Sequence, residues 1–130
     1  MEPFNVMIVD DEKDLRETLV KRLEKRNLHA TGVESAEKAI LLMRRKEFDV
    51  VILDIKLPGG MDGIEALREM KKFQPVTEVI LLTGHSSIEA GIDGMKLGAF
   101  DYILKPVKLE DLFPKILLAG EKKRKMMGKP

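Results

Sequence analysis

The chain has 130 residues, which suits one domain and leaves little room for a second. Hydrophobic residues make up 44% and charged residues 35%, a mixture typical of a globular, soluble chain, and the net charge of +1 gives no global attraction to nucleic acid or membrane. The absence of cysteine excludes disulfides, thiolate catalysis and cysteine-based zinc sites. With no apolar run of membrane-spanning length and no signal-peptide pattern, we expect a cytoplasmic location.

Four short apolar runs predict buried strands. Because they do not alternate with polar residues, both of their faces should be covered, as in a parallel sheet; the runs are residues 6–9, 50–53, 79–82 and 102–104. A fifth segment, residues 28–33, includes His29, Thr31 and Gly32 and is predicted to be an edge strand.

Segments with helical periodicity separate and follow the runs. Their apolar stripes are Leu15, Leu19 and Leu23; Ala36, Ala39, Ile40 and Met43 after Ser35 as N-cap; Ile64, Leu67 and Met70; Ile88, Ile92 and Met95; and Leu109, Leu112, Phe113, Ile116 and Leu117. Strand and helix thus alternate five times, which predicts right-handed crossovers and helices on both faces of one sheet. Pro114 predicts a kink or a late start in the last helix.

The domain is predicted to cover residues 1–120. Residues 121–130 are mostly charged and small, and we expect them to fray as a tail or as the start of a truncated linker. The basic run from Lys122 to Lys125 is interpreted as a solvated helix end.

Polar residues follow four of the five predicted strands. The first strand ends in Asp10 and Asp11, the third in Asp54, the fourth in Thr83 and the fifth in Lys105. Each is also typical of a turn or a helix N-terminus when considered alone. Because ligands of open α/β sheets bind outside the carboxyl ends of the strands, the pattern predicts one pocket with three carboxylates, a hydroxyl and an ammonium.

This set of groups favours metal-assisted phosphoryl transfer. Clustered carboxylates raise each other's pKa unless a cation neutralises them, and oxygen ligands in an open site suit Mg²⁺. A carboxylate beside the metal can act as a nucleophile and form an acyl phosphate. The Lys105 ammonium and the metal would stabilise the charge on the phosphoryl group, and the Thr83 hydroxyl would hold one of its oxygens.

At these positions the chain resembles the receiver domains of two-component response regulators, the CheY-like family. The resemblance covers about residues 6–118. Its motifs are residues 6–11, Asp54 with Pro58 and the pair Asp62-Gly63, Thr83-Gly84, and residues 98–102 leading to Lys105-Pro106. It implies a flavodoxin-like (βα)5 fold, a doubly wound parallel sheet of strand order 2-1-3-4-5.

The resemblance also implies the metal site and the phosphorylated residue. Asp54 would be the phosphoacceptor, and Asp11 and Asp54 would bind Mg²⁺ directly together with the backbone carbonyl of Lys56. Asp10 would hold a metal-bound water.

The remaining implied roles concern signalling. Thr83 would be the switch hydroxyl, Tyr102 the aromatic rotamer switch and Lys105 the phosphate-binding cation, with a cis bond between Lys105 and Pro106. The domain would be a signalling switch that catalyses its own phosphorylation and dephosphorylation at Asp54, with a phosphohistidine on a sensor histidine kinase as donor.

The implied partner surface is formed by the fourth helix, fifth strand and fifth helix. It would bind an output domain or a downstream protein, and it is a candidate surface for a homodimer. No membrane partner and no direct nucleic-acid contact by this domain are expected.

Two other functions use related chemistry. A phosphatase of the haloacid dehalogenase kind needs a second Asp two residues after the nucleophile, where this chain has Lys56. A flavodoxin needs a Ser/Thr/Gly-rich phosphate loop after the first strand, where residues 10–14 are Asp-Asp-Glu-Lys-Asp. The loop of residues 58–63 is one glycine longer than the receiver pattern, which two adjacent glycines can accommodate locally.

Overall fold

A computed structural model describes residues 2–128. Five strands alternate with five helices: β1 Asn5–Val9, α1 Lys13–Glu24, β2 His29–Val33, α2 Ala36–Met43, β3 Val50–Asp54, α3 Gly63–Phe73, β4 Glu78–Thr83, α4 Ile88–Lys96, β5 Asp101–Leu104 and α5 Leu109–Met126. A single 3-10 turn, His85–Ser87, precedes α4. The strands form one parallel sheet of order β2-β1-β3-β4-β5, so the predicted fold, strand order and edge position of β2 are confirmed.

The sheet is buried on both faces, as the unbroken apolar runs predicted. On one face Met7, Val9 and Leu53 pack with α2 and α3. On the other face Ile8 and Ile52 pack with α1 and α5. Successive residues of β1 and β3 therefore pack into opposite cores, which explains why residues 6–9 and 50–53 are all apolar.

The N-terminus of α3 packs closely against the end of β3. Asp62 and Glu65 form a capping box: Asp62 Oδ1 accepts from the Glu65 amide at 2.9 Å, and Glu65 Oε1 accepts from the Asp62 amide at 3.2 Å. The Gly63 amide donates to the Ile55 carbonyl at 2.8 Å. A Cβ at Gly63 would overlap the Asp54 carbonyl oxygen and lie 2.6 Å from Ile55 Cα, so glycine is required here by the close approach of two backbones.

The apolar stripe of α4 does not face the sheet. Ile88, Ile92 and Met95 are exposed, Ile92 at 46%, whereas Gly91 and Gly94 form the buried positions of this helix. A Cβ at Gly94 would overlap Leu81 of β4, so the glycines let the helix lie close to the sheet. The predicted helix is present, but its larger apolar side chains are left on the surface.

The C-terminal helix is longer than expected. It continues through Pro114 and past residue 120 to Met126, so the predicted boundary at residue 120 falls inside a helix, and residues 121–126 do not fray. The late start considered for Pro114 is not observed, since the helix begins at Leu109. Residues 129 and 130 of the expected tail lie outside the described part of the chain.

Buried ion pairs hold this extension in place. Lys123, which is 2% exposed, lies 2.6 Å from Glu47 Oε1 and 3.1 Å from Asp49 Oδ1. Arg124 lies 3.4 Å from Asp49 Oδ2 and stacks on the Phe4 ring, 4.2 Å from its centroid. The interpretation of the basic run as a solvated helix end is therefore wrong for its two central residues. Across residues 2–128, no helix is long and apolar enough to cross a membrane.

Candidate functional site

Three carboxylates meet at the carboxyl ends of two adjacent strands. Asp10 and Asp11 follow β1, and Asp54 is the last residue of β3. One oxygen from each lies within 4.8 Å of the others. Asp10 is fully buried at 0% exposure, Asp54 is also buried, and Asp11 is exposed. The predicted cluster is therefore present in the structure, with its open side at Asp11.

Lys105 supplies the cation of the site. It follows β5, and its Nζ lies 3.0 Å from Asp54 Oδ2, 3.1 Å from Asp10 Oδ2 and 3.4 Å from Glu12 Oε1. The contact to Asp54 is a hydrogen bond, whereas that to Asp10 is a close ion pair outside hydrogen-bond geometry. The Lys105 amide donates to the Thr83 carbonyl at 2.7 Å. The Lys105–Pro106 peptide bond is cis, as predicted.

The buried charges shift the pKa values of both partners. Burial raises the pKa of Asp54, and the neighbouring Asp10 charge raises it further, while the hydrogen bond from Lys105 opposes the change. Burial lowers the pKa of Lys105, but its hydrogen bond to Asp54 and the charges of Asp10 and Asp54 outweigh this effect and raise the pKa above its ordinary value. One ammonium therefore only partly compensates the carboxylates, and a site with unneutralised negative charge attracts a further cation.

The donor set fits a magnesium ion. The available ligands are carboxylate oxygens, one of them exposed, in a site that opens to solvent. Mg²⁺ prefers such ligands and keeps several waters in its coordination shell. A divalent cation there would also offset the charge that raises the pKa of Asp54.

Thr83 lies on β4, the strand next to the Asp54 strand, and Tyr102 lies on β5, one strand further out. Thr83 ends β4, the neighbour of β3; its side chain is buried, and its Oγ1 forms no hydrogen bond with any group in residues 2–128. Tyr102, on β5, is half-buried. A Cβ placed on Gly91 would lie 3.1 Å from the Thr83 methyl and 3.8 Å from the Tyr102 ring, so both side chains border the same glycine of α4.

Lys56 lies at the rim of the site. Its amide donates to Asp54 Oδ1 at 3.2 Å, and its exposed ammonium donates to Ser86 Oγ at 2.7 Å. The side-chain contact ties the loop after β3 to the turn before α4. The sequence provided no signal for it, because the two residues are 30 positions apart and polar residues in loops have many available partners.

Comparisons with known proteins agree with this geometry. Residues 6–117 match the model of the response regulator receiver domain family. An NtrX-like response regulator of Rickettsia bellii is 36% identical over 113 residues, which are 86% of this chain and 24% of that protein. The regulatory protein AtoC of Escherichia coli is 36% identical over 107 residues, 82% of this chain and 23% of AtoC. The chain thus spans about a quarter of the length of these relatives.

Solved structures show the same likeness. A response regulator receiver domain protein from Clostridium thermocellum has a TM-score of 0.90 at 33% identity, with 95% of this chain and 98% of that chain covered. NtrX from Brucella abortus has a TM-score of 0.89 at 29% identity, covering 97% of this chain and 28% of the NtrX chain. With its sheet order, its strand-end residues and a family match from residue 6 to residue 117, this chain belongs to the response regulator receiver domains, the signalling switches of two-component systems.

Proposed function

We propose that this chain is a phosphoacceptor switch whose phosphorylated residue is Asp54. The observation that carries the proposal is the convergence of Asp10, Asp11 and Asp54 within 4.8 Å, with Lys105 bridging the two buried carboxylates. The donor is a phosphohistidine on a sensor histidine kinase, the phosphodonor that the family implies.

Asp54 acts as the nucleophile. One of its carboxylate oxygens forms a bond to phosphorus while the phosphorus–nitrogen bond of the donor breaks, and the electron pair of that bond returns to the imidazole ring. Both Asp54 oxygens are already oriented, one by the Lys56 amide at 3.2 Å and the other by the Lys105 ammonium at 3.0 Å. The residue therefore needs little reorganisation before attack.

Mg²⁺ would be held by Asp11 and Asp54 directly, by the backbone carbonyl of Lys56, and by Asp10 through water. It would supply positive charge to the transferring phosphoryl oxygens. The combination of one exposed and two buried carboxylates supports this assignment, because such a site would be accessible to water and to the donor.

Lys105 has two successive partners in this proposal. Before transfer its ammonium offsets part of the negative charge of Asp10 and Asp54, with Nζ to oxygen distances of 3.1 and 3.0 Å. After transfer the ammonium contacts an oxygen of the phosphoryl group instead of the Asp54 carboxylate. The phosphoryl group carries more negative charge than the carboxylate did. The same Lys105 ammonium thus stabilises both states, and its loss would impair phosphorylation.

Thr83 and Tyr102 connect phosphorylation to the surface. The Thr83 Oγ1 is buried without a hydrogen bond among the described residues, so a phosphoryl oxygen would give it a charge-assisted partner. Movement of Thr83 toward Asp54 then vacates space beside Gly91, which the Tyr102 ring also borders. Phosphorylation biases an equilibrium between outward and inward Tyr102 that exists without it.

The output surface is formed by α4, β5 and α5. Its support is the apolar stripe that α4 leaves exposed, Ile88, Ile92 and Met95, together with the exposed Leu104 of β5 and Leu118 of α5. Such residues are typical of protein-binding surfaces. The occupant is an output domain, a separate downstream protein or a second copy of this chain.

Beryllofluoride, which mimics a phosphoryl group on a carboxylate, tests the switch. With Mg²⁺ present, we expect amide shifts at residues 54, 83 and 102 and along α4 in the wild type, and none of them in Asp54→Asn. In Thr83→Ala the shifts near Asp54 should remain and those of Tyr102 and α4 should be lost. If Thr83→Ala shows the full response of α4, the coupling through Thr83 is wrong; if Asp54→Asn responds like the wild type, the phosphoacceptor assignment is wrong.

A further inference from the structure

Arg16 of α1 is bonded to the backbone of the acidic loop. Its Nη1 donates to the carbonyl oxygen of Asp10 at 2.9 Å. The Asp10 amide donates to the Val33 carbonyl at 3.1 Å, and Asp10 Oδ1 accepts from the Glu12 amide at 2.9 Å. Asp10 is therefore held at its amide, its carbonyl and its carboxylate, and Arg16 supplies the only charged partner among these three contacts.

Gly32 of the edge strand β2 leaves room for this arginine. A Cβ at Gly32 would lie 2.8 Å from Arg16 Cγ and 3.1 Å from Cδ, so the arginine stem passes over the place that a side chain would occupy. The backbone of Gly32 is outside the positive-φ region, in which the structure places Gly59, Gly98 and Gly128. The glycine thus serves the packing of Arg16 and not a turn.

The contact acts on the residues that carry the proposed metal site. The turn from Asp10 to Glu12 joins β1 to α1, and its conformation determines where the carboxylates of Asp10 and Asp11 point. A guanidinium that binds the Asp10 carbonyl fixes this turn through its backbone. Groups that hydrogen-bond to a metal-binding residue commonly control metal affinity without touching the metal.

We propose that Arg16 is a positioning residue for the magnesium site, and that Gly32 is required to seat it. The proposal rests on the proposed magnesium-dependent function of Asp10, Asp11 and Asp54. Arg16 bonds to the backbone carbonyl of Asp10, not to a carboxylate, and acts through that backbone. Two residues on different elements, neither of them a carboxylate, then set the geometry of the metal ligands.

A double-mutant cycle of Arg16→Ala and Gly32→Ala tests this proposal. Gly32→Ala changes no charge and displaces the arginine stem, whereas Arg16→Ala removes the side chain itself. Each variant is titrated with MgCl₂ while the amides of residues 10–12 are followed by NMR. Arg22→Ala, an exposed arginine of the same helix, controls for the loss of one positive charge.

We expect each single variant to weaken Mg²⁺ binding about tenfold, the lower end of the effect of losing an outer partner of a metal ligand. Gly32→Ala should have no further effect in the Arg16→Ala background, because no arginine stem remains to be displaced. In metal-free protein, the Glu12 amide should exchange faster with solvent in both variants. Arg22→Ala should bind Mg²⁺ as the wild type does.

The outcomes separate this inference from the proposed function. If the amide signals of the wild type do not shift at millimolar Mg²⁺, the proposed magnesium site is wrong. The positioning role of Arg16 is then wrong too. If the wild type binds and both variants bind equally well, Arg16 has no positioning role while the proposed function stands. Lower stability toward urea with unchanged Mg²⁺ affinity would show that Arg16 only braces α1 against β2, which also overturns the inference.

Discussion

Removal of the Asp49 carboxylate is expected to destabilise the whole domain, although Asp49 lies far along the sheet from the phosphorylation site. Asp49 precedes β3 and is buried. Its Oδ2 accepts from the Asn5 amide at 2.8 Å and lies 3.4 Å from Arg124 Nη2, and its Oδ1 lies 3.1 Å from Lys123 Nζ. One carboxylate thus joins the start of β1, the start of β3 and the last turns of α5.

The size of the destabilisation follows from the burial of Asp49 and of its partner Lys123. Asp49→Ala leaves the Lys123 ammonium, 2% exposed, with Glu47 as its remaining carboxylate partner, and removes the acceptor of the Asn5 amide. Breaking a buried pair by deleting one partner costs about 3–5 kcal/mol. Because a domain of this size has a total stability of about 5–15 kcal/mol, the variant should lose roughly a fifth of it or more. At about 4 °C per kcal/mol, its Tm should fall by roughly 10–20 °C.

Urea unfolding followed by circular dichroism measures this loss. The matched control is Glu69→Ala, which removes a carboxylate 3.2 Å from Lys72 in an exposed pair and should cost below about 1 kcal/mol. Amide exchange along residues 120–126 should accelerate in Asp49→Ala, while the Mg²⁺ affinity of the folded protein stays as in the wild type. Equal losses in Asp49→Ala and Glu69→Ala would refute the reasoning that a buried network anchors α5.

Three other predictions follow from local geometry. Gly63→Ala should lower the free energy of unfolding in urea by more than about 3 kcal/mol, because the added Cβ would overlap the backbone of Asp54 and Ile55. Gly60→Ala should be nearly neutral, since the nearest atom to its added Cβ is 3.7 Å away. Equal effects of the two substitutions would contradict this reasoning. Asp62→Ala should cost about 1 kcal/mol through loss of the capping box, and an unchanged unfolding midpoint would contradict that role. In metal-free buffer the pKa of Asp54 is higher in the folded state than in the unfolded chain. Just above the ordinary pKa of 3.8 the folded protein therefore keeps a proton that the unfolded chain has released. The free energy of unfolding should then fall as the pH rises above 3.8. Asp54→Asn should therefore be more stable than wild type at neutral pH, with a difference that shrinks toward pH 4; a constant difference across that range would contradict the sign.

The fold could be predicted from the sequence because its strongest signals are local. The runs at residues 6–9, 50–53 and 79–82 have no polar interruption, and only a sheet covered on both faces accepts such strands. The polar residues of β2 marked it as the edge. These patterns depend on neighbours within a few residues and so can be read without the three-dimensional structure.

The composition of the candidate site was predictable for a topological reason. Parallel strands end at the same edge of the sheet, so Asp10, Asp54 and Lys105 had to approach one another once the strands were located. The partners of each side chain were not predictable. The Arg16 contact to the Asp10 carbonyl and the Lys56 contact to Ser86 depend on how long, flexible side chains cross from one element to another.

The interpretation of the basic run was wrong because composition does not reveal long-range partners. Lys123 and Arg124 belong to a charged run, and their carboxylate partner Asp49 is about 75 residues away. The stripe of Ile88, Ile92 and Met95 has the period of a core-facing helix, but Gly91 and Gly94 allow the opposite face to pack on the sheet. Apolar periodicity predicts a helix more securely than it predicts which face is buried.

The central claim is that Asp54 accepts a phosphoryl group with the help of Mg²⁺, and direct mapping of that group tests it. The protein is incubated with acetyl phosphate, with MgCl₂ or with excess EDTA, and its peptides are analysed by mass spectrometry. We expect one phosphoryl group on the peptide that contains Asp54, formed with Mg²⁺, nearly absent with EDTA, and absent in Asp54→Asn. A stable phosphoryl group on another residue, or equal phosphorylation of Asp54→Asn and wild type, would contradict the account.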